Sequence, residues 1–140
     1  MVYILLYTLL FILLPSDTGF KNLLIDSSIP RPDSSVSLAT TDTTLIFRDQ
    51  VTLSTQNISI YQVTDGNPIL RQSFSAKSGF CSVTLNDSAV KCDIFKSTFN
   101  QPDATYYVVV DNNFVMSKSL NQPLPGVTKG NWMYQGGGMH

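Results

Sequence analysis

Glutamate is absent from this 140-residue chain, and its single histidine, His140, is the last residue. Without Glu or an internal His, His-based nucleophilic triads, two-His metal sites and Glu general acids have no residues to form from. Catalysis would rest on Asp, Lys, Tyr or Cys alone, so no catalytic residue is assigned and no enzyme is expected. Charge is scarce as well: Lys, Arg and Asp make up 14% of the residues, against roughly 25% in ordinary soluble domains. A net charge of −1 provides no basic face to neutralise phosphates, which excludes nucleic acid as a partner. Alanine occurs four times, whereas Val, Ile and Thr supply 33 residues, so the good helix formers give way to β-branched ones. With 43% hydrophobic residues the chain forms a core instead of staying disordered, and its length suits one domain.

Long apolar runs are missing with one exception, Val2 to Leu14, which Pro15 and the polar Ser16-Asp17-Thr18-Gly19 terminate. Thirteen residues fall short of the roughly 20 that cross a bilayer but suit the apolar region of a signal peptide, here residues 1–18. No Lys or Arg precedes the run and no Ala-x-Ala-like site follows it, so a short uncleaved anchor or a buried apolar element are the alternatives. Residues 19–29 are expected as a linker, and any membrane contact runs through the N-terminal segment alone.

Only two cysteines are present, and Asn86-Asp87 lies midway between them. If that pair forms a two-residue hairpin loop, cross-strand partners have numbers summing to 173. Leu85 then faces Ser88, Val83 faces Val90, and Cys81 faces Cys92, close enough for a disulfide. The alternative is a pair of reduced, buried thiols; zinc is excluded because no further ligands are available. Two N-x-Ser/Thr sequons, at Asn57 and Asn86, fall on an outward strand position and at the hairpin tip, both exposed as a glycan requires. Leader, disulfide and sequons agree on a secreted, extracellular or cell-surface glycoprotein.

From Ile29 onward the chain reads as short β segments parted by turn clusters. Strands are expected at Thr43 to Arg48, around Val51 and Leu53, at Asn57 to Val63, Ile69 to Phe74, Phe80 to Leu85 and Ser88 to Phe95. Thr105 to Asp111 is continuously β-branched and aromatic, so it is expected at the centre of a sheet. A last strand covers Asn131 to Gln135, and residues 136–140 form a flexible Gly-rich end. Such a pattern predicts an all-β antiparallel β-sandwich of about seven to nine strands, with residues 30–135 as one domain. One of Tyr106 and Tyr107 points inward, with its hydroxyl bonded to backbone as in a tyrosine corner.

The body resembles the SbsA-type Ig-like domain of S-layer and other cell-surface proteins. The resemblance rests on Ile29-Pro30-Arg31-Pro32, the stretch Thr44 to Val51, Asn57-Ile58-Ser59-Ile60-Tyr61, the Ala104 to Val110 strand, and Asn121 to Gly126 followed by Trp132. Gln50 stands where the family has Pro, and the cysteine hairpin is not one of its general features. The resemblance implies a non-catalytic spacer, stalk or adhesion surface, and brings no active-site residues.

Trp132 and Tyr134 share a face of the last strand. They fill the core between the sheets or, exposed, form a stacking platform for sugars; a lectin-like module would add loop residues near 64–68 or 111–126. Asp111-Asn112-Asn113 comes nearest to a calcium pattern but reads as a turn, so no metal and no cofactor are assigned. The expected function is a structural spacer or adhesion surface whose partners are extracellular proteins or glycans, with carbohydrate binding as the alternative. Mass spectrometry of secreted material checks the compartment. A chain lacking Met1, with both thiols oxidised, is expected; intact Met1 with two free thiols and no glycan would refute it.

Overall fold

The computed structural model of this chain describes residues 24–137, so the apolar run, its cleavage point and the last three residues lie outside the described residues. Within them, alternation at period two yields eleven strands and no helix, hence none long and apolar enough to cross a membrane. In order these are β1 (Ile25–Ile29), β2 (Ser34–Val36), β3 (Asp42–Phe47), β4 (Val51–Leu53), β5 (Asn57–Gln62), β6 (Ile69–Ser75), β7 (Cys81–Thr84), β8 (Ala89–Asp93), β9 (Thr105–Val110), β10 (Val115–Ser117) and β11 (Met133–Gly136).

They assemble as a four-stranded sheet β1-β3-β8-β7, a five-stranded sheet β2-β11-β9-β5-β6, and a small β10-β4 ribbon. The pairs are antiparallel except β2 with β11, which run parallel. The fold is the expected all-β sandwich, with β9 central in its sheet, but it starts earlier than expected. Residues 25–29, read as linker, form β1: Ile25 turns inward and the strand hydrogen-bonds along β3. Short β10 was also missed; it pairs with β4 in a ribbon apart from the two main sheets.

Inner faces of both sheets join in one hydrophobic cluster. Leu45, Phe47 and Val90 come from one side; Ile58, Ile60, Tyr106, Val108 and Val110 come from the other. Phe99, from the 94–104 connection, sets its ring edge-on to Tyr106 at 5.1 Å and to Tyr134 at 5.4 Å, favoured geometries for aromatic quadrupoles. Tyr106 is the inward member of its pair, and its hydroxyl accepts from the backbone N–H of Gln101 at 3.1 Å.

The cysteine hairpin adopts the expected register: Cys81 opposite Cys92 and Val83 opposite Val90. Leu85, Asn86 and Asp87 all have positive φ (52°, 55° and 67°), and Ser88 N–H donates to the Leu85 carbonyl, so a left-handed turn over residues 85–88 joins the two strands. The sulfurs are bonded, with the Cα atoms 4.0 Å apart. Closing this short loop restricts the unfolded chain, so replacing both cysteines with serine is expected to cost about 3 kcal/mol. Thermal denaturation with and without reductant checks this; an unchanged melting temperature would show that the bridge contributes nothing.

Candidate functional site

Trp132 and Tyr134 are 0% and 2% exposed, sealed between the sheets. The Trp132 indole N–H donates to the Pro30 carbonyl at 2.9 Å, which satisfies its polar edge inside the core. These residues form no stacking platform, so their assignment as ligand-binding side chains is corrected: large rings gain more from burial than a surface site could return. Tyr134 keeps a buried hydroxyl with no hydrogen-bond partner, and desolvation first, then the neighbouring Tyr106, raises its pKa well above the ordinary phenol range.

Period-two geometry makes the inward Trp132 and Tyr134 turn Met133 outward. Met133 lies opposite Tyr107 of β9, Tyr107 lies opposite Tyr61 of β5, and Tyr61 lies opposite Leu70 of β6. Directly paired residues share a face, so these four side chains make a row across the outer face of the five-stranded sheet. Tyr61 and Tyr107 stack with centroids 5.1 Å apart and planes within 15°. The Lys129 ammonium stands over the Tyr107 ring, 5.2 Å from its centroid. Burial, and secondarily Tyr61, push the Tyr107 hydroxyl above its usual pKa.

Beside this row lies a cleft of about 210 Å³. Its floor is Tyr107 and Met133, one wall is the turn carrying Val63, Thr64 and Pro68, and the opposite rim is Lys129. The Thr64 hydroxyl is already engaged, donating to the Asn67 carbonyl and accepting from Gly66 N–H, so the walls offer few free hydrogen-bonding groups. A polyhydroxylated sugar therefore finds little to bind. Grooves flanking β2 are larger, about 330 and 550 Å³, but the Ser34 and Ser37 hydroxyls along them are engaged in local backbone bonds.

The remaining expected sites lie apart from the cleft. Cys81–Cys92 belongs to the other sheet, Asn86 is exposed at its hairpin tip, and Asn57 is exposed at the start of β5. Asp111, Asn112 and Asn113 do turn work: their side chains accept from Asn57 N–H, Gly126 N–H and the Ser54 hydroxyl. Tyr61, Tyr107, Lys129 and Met133 were missed as a group because they come from four separate segments. The one available signal was that an inward Trp132 obliges its neighbour to face out.

No family model matches the chain, and no curated protein matches its sequence. Solved structures do resemble it. CopC from Methylosinus trichosporium OB3b aligns with a TM-score of 0.55 at 11% identity, over 84% of this chain and 95% of that one. PcoC, a copper resistance protein from Escherichia coli, aligns with a TM-score of 0.48 at 12% identity, over 79% of this chain and 96% of that one. At these identities the likeness is one of fold. The expected role of spacer or adhesion surface, which leaned on a cell-surface resemblance, is corrected: the sandwich is similar to that of CopC and not to an S-layer domain. Burial of Trp132 and Tyr134 removes the carbohydrate alternative as well.

Replacing Tyr134 with Phe removes the unpartnered hydroxyl and is expected to stabilise the protein by about 1 kcal/mol at neutral pH. Above about pH 10 the unfolded chain releases this proton while the folded chain keeps it, so the wild type should lose about 1.4 kcal/mol per pH unit relative to Y134F. Urea denaturation of both proteins at pH 8 and pH 11 checks the sign and the slope.

Proposed function

We propose that this chain is an extracytoplasmic small-molecule-binding protein whose ligand sits in the cleft on the outer face of the five-stranded sheet. The observation that carries the reading is the floor of that cleft. There the nearly buried Tyr107, stacked on Tyr61 outside the cleft, meets the Met133 thioether and, at the rim, the Lys129 ammonium. Around it Val63 and Leu70 bring apolar surface to solvent, 41% and 53% exposed, and apolar surface beside a cleft marks binding sites. At about 210 Å³ the cleft is smaller than the roughly 300–1,000 Å³ that holds drug-sized molecules, so the ligand is compact, on the order of ten heavy atoms. The apolar run at Val2 to Leu14 and the disulfide support an oxidising compartment, in which Asn57 and Asn86 are accessible glycan acceptors.

Copper, named in the description of the E. coli protein, finds no matching donor set here. Soft copper sites draw on thiolate, thioether and imidazole. Among the described residues no three His, Cys, Asp or Glu side chains gather, both cysteine sulfurs are bonded to each other, and Lys129 shares its cleft with the Met133 thioether, where it repels a cation.

A fragment screen followed through the Met133 methyl and Tyr107 ring NMR signals tests the reading. Ligands are expected to shift both signals. A Cβ added at Gly66 meets no atom within 4 Å, so the backbone there accepts a side chain, and Gly66→Trp adds a ring at the cleft rim. That variant is expected to melt like the wild type and to abolish the shifts. Hits that gather along β2, or that G66W leaves intact, would overturn the assignment.

A further inference from the structure

We infer that the outer face of the five-stranded sheet pairs with a second copy of this chain, face to face about a two-fold axis. This goes beyond the ligand reading, and because it concerns the association state, either can fail without the other. Charge is the first observation behind it. The five strands of this sheet contain one charged residue, Arg71, which reaches over the sheet edge to the Ser97 and Thr98 carbonyls. The outer face they form is therefore uncharged. On the other sheet the outer face carries Asp42, Lys91 and Asp93, with Lys91 3.9 Å from Asp42. Loss of charge together with exposed tyrosine and methionine is the composition of an interface centre. A face without charge meets its own copy without like-charge repulsion, and a net charge of −1 lets two chains approach. An anionic membrane would call for a cluster of cations, and here Lys129 stands alone at one rim.

Relief is the second observation. Met133, Tyr107, Tyr61 and Leu70 form a row of large side chains across the face. One step along the strands, about 7 Å away, Val109, Ser59 and Ser73 form a parallel row of smaller ones. An axis lying between the rows, and parallel to them, seats the large row of each copy over the small row of its mate. Residue i then meets j while j meets i, as a two-fold contact requires. Leu70 covers the partner's Ser73, and Tyr61 covers the partner's Ser59. The Ser59 and Ser73 hydroxyls are hydrogen-bonded to each other at 2.8 Å, so each keeps a partner when covered. The face spans roughly 24 Å across its strands and about 18 Å along them, an accessible surface on the order of 600 Å² per copy. Two such surfaces reach the lower end of specific interfaces, roughly 1,200 Å² in total, which corresponds to micromolar association. The exposed Leu70 and Val63 leave water when it forms.

Sedimentation of the full chain from about 1 µM to about 500 µM tests this in wild type, Ser73→Lys and Thr84→Lys. Ser73 and Thr84 are both exposed, one on each sheet, so all three proteins should melt alike. The wild type is expected to pass from monomer to dimer. S73K, which sets an ammonium beneath the mate's Leu70, should weaken association at least tenfold, and T84K should leave it unchanged. Both native sulfurs are bonded, so an added cysteine is the free thiol. Mixed Leu70→Cys and Ser73→Cys chains are expected to cross-link to each other in preference to either self-pair. Association that S73K leaves intact, or mixed chains that do not cross-link, would overturn the inference. So would a wild type that stays monomeric throughout, including one that coats phosphatidylglycerol vesicles or captures an unrelated protein through this face instead.

Discussion

The hydrogen bond from the Trp132 indole to the Pro30 carbonyl spans 102 residues and ties the first described strands to the last. Around it the first and last described segments are laced together: Asp33 N–H donates to the Met133 carbonyl, and β2 runs parallel to β11. The indole N–H has to find an acceptor once Trp132 is buried, since an unpaired donor in the core would cost about 1–3 kcal/mol. Pro30 supplies the acceptor, and Ser28 donates to the same carbonyl. The orientation of β11 follows from that anchor. With Trp132 and Tyr134 facing the core, Met133 has no choice but the outer face, where it meets Tyr107. The outward placement of Met133 at the cleft is thus a consequence of core packing.

What could be read from the sequence follows the range of the interactions involved. The cysteine hairpin was legible because every determinant lies within twelve residues: a turn pair, an alternation and two thiols at matching distance from the tip. The central position of β9 was legible from the unbroken run Tyr106 to Val110, and the Tyr106–Gln101 bond lies only five residues apart. β1 was hidden because Asp26, Ser27 and Ser28 look like linker; Ser28 is nevertheless 2% exposed, its hydroxyl absorbed by Pro30. The cleft was hidden for a stronger reason. Residues 61, 107, 129 and 133 meet only through a specific strand order, and period-two patterning fixes which face a residue takes without saying which strand lies beside it. Trp132 and Tyr134 drew attention by size, yet size argued for burial.

Sharing a sandwich with CopC at 11% identity says how the backbone is layered and little about what it holds. In this chain the two sheets divide the labour. The four-stranded sheet carries the disulfide, and its hairpin tip is steadied by the Lys118–Asp87 pair and by Gln50 reaching the Asn86 carbonyl. Covalent closure is concentrated there. The five-stranded sheet holds its shape by packing on Trp132, Tyr106 and Phe99, and its outer face carries the aromatic row.

One irregularity shapes that open face. Along β5 and β6 the register shifts between Ile60, opposite Gln72, and Tyr61, opposite Leu70, so Arg71 is the extra residue of a β-bulge. Without the bulge, Arg71 would stand opposite Tyr61 and bring a guanidinium to the end of the tyrosine row. Instead Arg71 is turned toward the sheet edge, where it donates to the Ser97 and Thr98 carbonyls and to Asn100. Those bonds hold the 97–100 segment against β6, an edge strand that would otherwise offer unpaired backbone to another chain. The same segment sets Phe99 into the core and Thr98 onto Gln72. A single inserted residue therefore shields an edge, seats a core aromatic and puts Leu70 in place of a charge beside Tyr61, which leaves Lys129 as the cation that the tyrosine row meets.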